Sequence, residues 1–241
     1  MKKAILSILM LLGGIAILQA QAPRIPLVEH FTNTRCGRCP SGNNALFGTL
    51  DNLGDEVLHI AYHSRVPYTS CIFYQHNRDQ ANARRDRYSV GATPQAMLNG
   101  TYNGGGTGML TTAEANAAAQ GGSPIGIEVI NRWIPGDTFE VGVNVHFDQA
   151  LPNGNYGLFV AIVEADVSYN APNGEQNHRN VFRAMLPNDN GEAIPLLAAG
   201  QSTGFYSFKI AKHADWQKTP IKAIAFVQNL QTDEVINAGT E

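Results

Sequence analysis

The chain has 241 residues, of which 44% are apolar and 15% charged. That composition excludes wholesale disorder. The balance of 17 Lys+Arg against 20 Asp+Glu, net −3, excludes the basic footprint of a nucleic-acid binder. Gly at 24 and Pro at 12 point to a turn-rich, strand-rich chain rather than a helix bundle. Three cysteines are too few for a disulfide scaffold, yet two of them form a motif.

Residues 1–22 read as a secretory signal peptide. Lys2 and Lys3 give a positive start, an apolar run follows from Ala4 to Leu18, and Ala20-Gln21-Ala22 supplies small residues at a cleavage site. The run is shorter than the ~20 residues a spanning helix needs. Cleavage removes Lys2 and Lys3 and no acid, so the net charge falls from −3 to −5. The expectation is an exported chain with no transmembrane span after cleavage, maturing where disulfides persist.

From residue 23 to 121 strand-like and helix-like segments alternate. Residues 25–31 are apolar-rich. Leu46, Phe47, Leu50 and Leu53 recur at helical spacing. Residues 55–62 read as a strand, 77–88 as a polar helix, and 94–98 as a short strand before the hairpin signal Asn99-Gly100. Thr111, three residues before Glu114, caps an Ala-rich helix over 113–119. The order is strand, helix, strand, helix, strand, strand, helix.

Gly121-Gly122-Ser123-Pro124 reads as a linker. Beyond it, residues 125–133, 138–147, 156–167, 205–210 and 221–228 are β-rich. Alternation is clear in Phe139, Val141, Val143, Val145 and Phe147. Such short strands separated by Pro/Gly/Asn/Asp turns suggest an all-β antiparallel sandwich domain over 123–241.

Chemistry concentrates at Cys36-Gly37-Arg38-Cys39, placed after a predicted strand and at the start of a predicted helix. A helix N-terminus offers unpaired N–H groups and positive dipole charge, which stabilise a thiolate. Arg35 and Arg38 add positive charge and tune Cys36 toward the ~3.5–7.5 range of activated thiols. Cys36 is the expected attacking thiol. Cys39 is the expected resolving thiol, able to attack a mixed disulfide on Cys36.

The segment Leu27 to Pro40 resembles the active site of thioredoxin-fold proteins. A second motif, Tyr88-Ser89-Val90-Gly91-Ala92-Thr93-Pro94, resembles the loop that carries their cis-proline. The resemblance implies an α/β thioredoxin-like domain over 23–121, with Pro94 packed against the dithiol and Thr93 offering backbone groups to a substrate segment. Arg35 stands where a tryptophan is common in that family. His30 stands six residues before Cys36, where the family buries an acid. A histidine there is a candidate proton shuttle; the other reading is a satisfied structural histidine.

The whole chain is similar to the Omp28-related outer-membrane proteins of Bacteroidetes. The similarity rests on residues 28–40, on His178-Arg179-Asn180-Val181-Phe182-Arg183, and on Ala223-Ile224-Ala225-Phe226-Val227-Gln228-Asn229. It implies an exported protein, in the periplasm or associated with the outer membrane or cell surface. The expected function is thiol–disulfide exchange on exported proteins. Its partners are their thiols or disulfides, with an envelope partner reached through the β domain. No cofactor is needed, because the dithiol carries the electrons.

Other readings compete. Cys36–Cys39 as a permanent disulfide closes a tiny loop with little entropic benefit; it would suit a non-enzymatic surface or envelope binding protein. A zinc set of Cys36, Cys39, Cys71 and one histidine is the metal alternative. His59 and His63 lie about 13 Å apart by strand rise and do not share an ion. Cys71 reads as a buried thiol packed as a small hydrophobe, against a third redox thiol. Arg78, Arg84, Arg85 and Arg87 read as a solvated helix face. His178, Arg179 and Arg183 read as a partner-contact surface.

Overall fold

The apolar run after Pro26 forms β1 (Leu27–Thr32), in which every residue is buried. It leads into α1 (Cys39–Leu53), β2 (Leu58–His63), α2 (Ile72–His76) and α3 (Arg78–Arg87). The hairpin β3 (Gln95–Leu98) and β4 (Tyr102–Gly105) and the helix α4 (Thr112–Ala119) complete the first half. The second half consists of β5 (Ile125–Ile134), β6 (Thr138–Phe147), β7 (Tyr156–Ser168), β8 (Asn177–Leu186), β9 (Glu192–Ala193), β10 (Gln201–Ala211), β11 (Ile221–Asn229) and β12 (Val235–Gly239). This computed structural model describes residues 21–216 and 221–241. The expected signal peptide lies almost wholly outside them. No helix among the described residues is long and apolar enough to cross a membrane.

The expectation of an α/β thioredoxin-like domain followed by an all-β antiparallel sandwich domain is overturned. Strands from both halves build one mixed sheet of nine strands, ordered β12-β11-β7-β8-β2-β1-β3-β4, with β9 pairing β7. The seam is a parallel contact of β2 with β8, where Ala61 pairs with Val181. The remaining strands, β10-β6-β5, form a separate sheet.

The physical reason is two-sided burial. On β7, Leu158, Val160 and Ile162 face a core shared with Phe139, Val141, Val143 and Val145 of the small sheet. The alternate residues Phe159, Ala161 and Val163 face a second core with Leu27 and Phe31 of β1 and Ile60 and Tyr62 of β2. A strand covered on both faces reads as a continuous apolar run and does not reveal which elements cover it. A third core lies on the opposite face of β1, where Val28 meets Leu46 and Leu53 of α1 and Ala115 of α4.

Local signals explain several joints. Thr111 and Glu114 form a capping box at the start of α4. Asn99 and Gly100 take positive φ of 49° and 74° in the β3–β4 turn. A Cβ on Gly100 would lie 1.8 Å from the Asp233 carbonyl oxygen, so only glycine fits where this turn meets the segment before β12.

Two charged groups expected at the surface are inside. Arg84 of α3 is fully buried; its Nε donates to Glu29 Oε2 at 2.9 Å and its Nη1 to Gln228 Oε1 at 2.9 Å. Tyr88 donates its hydroxyl to Glu29 Oε1 at 2.6 Å, and the guanidinium lies over the Phe159 and Phe226 rings. Arg183 of β8 is likewise buried, its Nε donating to Glu164 at 2.6 Å. Each buried cation therefore has an opposite charge against it, and Arg84 has further hydrogen bonds to Gln228 and Tyr88, the condition for tolerating it.

Candidate active site

The loop from β1 to α1 is built by Asn33. Its Oδ1 accepts from Arg35 N at 2.9 Å, and its Nδ2 donates to the carbonyls of Ser64 and Tyr68, each at 2.9 Å. Cys36 N donates to Asn33 O at 3.0 Å. This turn brings Cys36 to Cys39, and the two form a disulfide with Cα atoms 5.3 Å apart. α1 starts at Cys39 with Pro40 in its first turn and no acidic residue there, so the positive helix end is not offset locally.

Cys36 is 3% exposed and Cys39 is fully buried. Cys36 Sγ lies 3.5 Å from the Thr93 carbonyl oxygen, and the Thr93–Pro94 peptide is cis. Pro94 also abuts α1: a Cβ on Gly42 would lie 2.5 Å from Pro94 Cγ and 2.6 Å from Gly106 O. Cys36, Cys39, Thr93 and Pro94 therefore share one place. Arg35 and Arg38 are exposed beside it, with the Arg35 side chain directed to Ser70 O at 3.3 Å.

His30 is buried behind α1. Its Nε2 lies 2.9 Å from Asn43 Oδ1, and its Nδ1 lies 3.3 Å from His59 Nε2. His59 Nδ1 in turn lies 3.3 Å from Asn180 Nδ2. An amide nitrogen only donates and an amide oxygen only accepts, so the amides at the two ends fix both tautomers. Asn180 donates to His59, His59 to His30, and His30 to Asn43. Burial lowers the His30 pKa to about 4 against the raising effect of the Asn43 bond. It lowers His59 well below the ordinary value, helped by His30. Both rings are neutral at neutral pH.

The β7–β8 connection covers the dithiol loop. Asn173 N donates to Thr34 O at 3.1 Å, and Asn173 Nδ2 reaches Asn33 O and Cys36 O, each at 3.3 Å. Glu175 takes Asn173 Nδ2 at 2.7 Å on one oxygen and Asn43 Nδ2 at 2.6 Å on the other. Sequence reasoning registered Pro172-Asn173-Gly174 only as a turn and missed Glu175, Asn173, Asn43, Gly42 and Asn33. The polar side chains among them sit at buried or covered positions, and nothing local in the sequence marks that. A cavity of about 540 Å³ opens beside this contact, lined by Pro40, Phe47, Asp51, Glu175 and Arg179. Arg179 pairs with Asp51 at 2.6 Å across it.

The zinc set does not assemble. Cys36 and Cys39 are bonded to each other, and the buried Cys71 sulfur accepts from Thr34 N at 3.4 Å and Thr34 Oγ1 at 3.2 Å. His59 meets His30 and Phe47, whereas His63 packs against Phe73. A second cluster, His76, His213 and Asp215, brings its ligand atoms within 4.8 Å of one another. There Trp216 Nε1 donates to His76 Nε2 at 2.6 Å, which puts the proton of a neutral ring on Nδ1, the atom facing Asp215.

The fold is similar to that of HBP35 of Porphyromonas gingivalis, with a TM-score of 0.75 at 19% identity, over 91% of this chain and 75% of that one. A protein of Agrobacterium tumefaciens is similar with a TM-score of 0.56 at 17% identity, over 92% of this chain and 95% of that one. A domain of the outer membrane lipoprotein Omp28 from Porphyromonas gingivalis matches with a TM-score of 0.37 at 16% identity, over 49% of this chain and 86% of that one. No family model and no curated protein sequence matches the chain.

Proposed function

We propose that the protein is an exported thiol–disulfide oxidoreductase that acts on cell-envelope proteins through Cys36 and Cys39. The reading rests on the disulfide at the N-terminus of α1, with Cys36 Sγ facing the backbone of Thr93 beside Pro94. When a reductant opens the disulfide, the helix end and the nearby Arg35 and Arg38 favour thiolate at Cys36. Cys36 attacks a substrate disulfide, and Cys39 attacks the resulting mixed disulfide. Thr93 and Pro94 form the wall against which a substrate segment lies.

One observation favours a second reading, a non-enzymatic envelope or surface binding protein with a fixed C-x-x-C disulfide. Both cysteines are nearly inaccessible, and exchange requires access to one sulfur. Equilibration in graded glutathione buffers, alkylation of free thiols and mass counting separates the two. An exchange catalyst titrates between about −120 and −270 mV, and a structural bond stays oxidised below about −300 mV. Under the first reading Cys36→Ser abolishes exchange.

A further inference from the structure

Among the described residues, five large apolar side chains stay exposed. Two of them, Tyr68 at 51% and Ile72 at 47%, lie between the end of β2 and the first turn of α2. One such side chain alone needs no account, but two on a fixed ledge beside a reactive site do. The ledge is fixed by four ties. The Val66 carbonyl accepts from Thr93 Oγ1 at 3.4 Å, and the Tyr68 carbonyl from Asn33 Nδ2 at 2.9 Å. The Ser70 carbonyl accepts from Arg35 Nε at 3.3 Å, and Cys71 Sγ from Thr34 Oγ1 at 3.2 Å. Segment 66–72 is thereby bound both to the dithiol loop and to the residue before Pro94, at the rim of the place that Cys36 and Thr93 share.

The same rim is locally basic in a chain of net charge −3. Arg35 and Arg38 flank Cys36 and are both exposed. Arg35 is held by a neutral carbonyl rather than a carboxylate, so its charge is not offset there. α1 opens with no acidic residue in its first turn. The acids of the neighbouring elements are engaged elsewhere: Glu175 gives its two oxygens to Asn43 and Asn173, and Asp86 pairs with Arg65 and Arg85.

We infer that the site selects a protein segment whose reacting cysteine is flanked by carboxylates and by an apolar side chain. The carboxylates meet Arg35 and Arg38, and the apolar group lies on Tyr68 and Ile72. The inference rests on the exchange reading above and names its substrate class. A guanidinium takes a carboxylate through two parallel hydrogen bonds, a geometry that adds selectivity to charge. A tyrosine adds rigid contact area at low cost in rotamer freedom. A lysine-rich segment meets like charge at the same rim and is disfavoured. This role of the arginines is separable from their effect on the Cys36 thiolate. A more stable thiolate changes the rate with every disulfide alike, whereas docking changes the ratio of rates between substrates.

The test is single-turnover reduction of cystine-loop peptides by the reduced mature protein. The peptides share one length and carry acidic, neutral or basic flanks with a leucine; a further acidic peptide has serine in its place. The uncharged disulfide of mercaptoethanol is the reference. In each reaction Cys36 sulfur bonds to one sulfur of the disulfide and the other leaves as thiolate. Cys39 sulfur then displaces the first, so the disulfide gains the two electrons that the dithiol loses. The acidic peptide is expected to react about tenfold faster than the basic one at ~0.01 M ionic strength, and the ratio to fall toward unity at ~1 M. Arg35→Gln combined with Arg38→Gln brings that ratio to near unity at low salt, whatever it does to the absolute rates. Tyr68→Ala erases an advantage of about fivefold of the leucine peptide over the serine peptide. Equal rates for acidic and basic peptides, with the reference reduced normally, overturn the inference and leave the exchange reading standing. A preference that survives in the double arginine variant overturns it too. If neither the reference nor any peptide is reduced, the exchange reading itself fails and takes this inference with it.

Discussion

On one face of β1, Glu29 lies between Leu27 and Phe31 and is held by Arg84 and Tyr88. On the other face, His30 lies between Val28 and Thr32 and is held by Asn43 and His59. Both side chains are fully buried. An opposite charge, the Arg84 guanidinium, sits against the first. The second is neutral at ordinary pH because burial penalises its charge. Period-two alternation thus sends a structural lock into the central core and a neutral hydrogen-bonded chain toward the helix that carries the dithiol. One short strand thus holds a buried ion pair on one side and backs the disulfide-bearing helix on the other.

The largest effect should come from breaking the charged face. Arg84→Met leaves Glu29 buried without its cation and should cost about 3–5 kcal/mol in denaturant unfolding. Adding Glu29→Leu to Arg84→Met should recover most of that loss, since apolar groups of similar size replace a buried pair at little cost. If the double variant is no more stable than the single, the charge account of that face is wrong.

The neutral face should reveal itself in acid. The His30 pKa is about 4 in the folded chain against the ordinary 6.5. The unfolded chain therefore binds the extra proton first as pH falls. Stability is retained above pH 6.5 and lost progressively down to about 4, by on the order of 3 kcal/mol. Unfolding free energies measured across that interval should show the loss, and His30→Phe should lessen it, the share due to the buried His59 and His63 remaining. Glu29 variants should keep it.

A smaller and more local effect belongs to the joint between that face and the dithiol. Gly42→Ala places a methyl against the Pro94 ring and the Gly106 carbonyl. It should cost about 1–3 kcal/mol in thermal or chemical unfolding. It should also separate α1 from Pro94, so glutathione exchange should slow alongside. A variant as stable as the wild type would mean that Pro94 does not seat against the helix.

Much of the local structure was legible. The Thr111/Glu114 cap, the Asn99-Gly100 turn, the alternation of β6 and the helix beginning at Cys39 all follow from short-range chemistry. The sharing of one sheet by both halves was not, because register and strand neighbours are long-range choices that a local period does not carry. His178, Arg179 and Arg183 suggest a partner-contact surface after a polar loop, yet Arg183 of β8 points inward to Glu164. The basic cluster likewise suggests that Arg84 faces solvent, yet it is fully buried. At the site, the cysteines and Thr93-Pro94 were visible as motifs, whereas Glu175 was not, standing 132 residues from its partner Asn43.

That separation matters for how the molecule comes into being. A chain that emerges amino end first presents Cys36 and Cys39 long before the 172–175 loop exists to cover them. Pairings this distant in sequence also close slowly. The N-terminal segment waits longer still, since Ile25 N is received by Asn237 Oδ1 at 2.9 Å on the last strand. The cover over the disulfide and the anchoring of the N-terminal segment thus both wait for the last third of the chain.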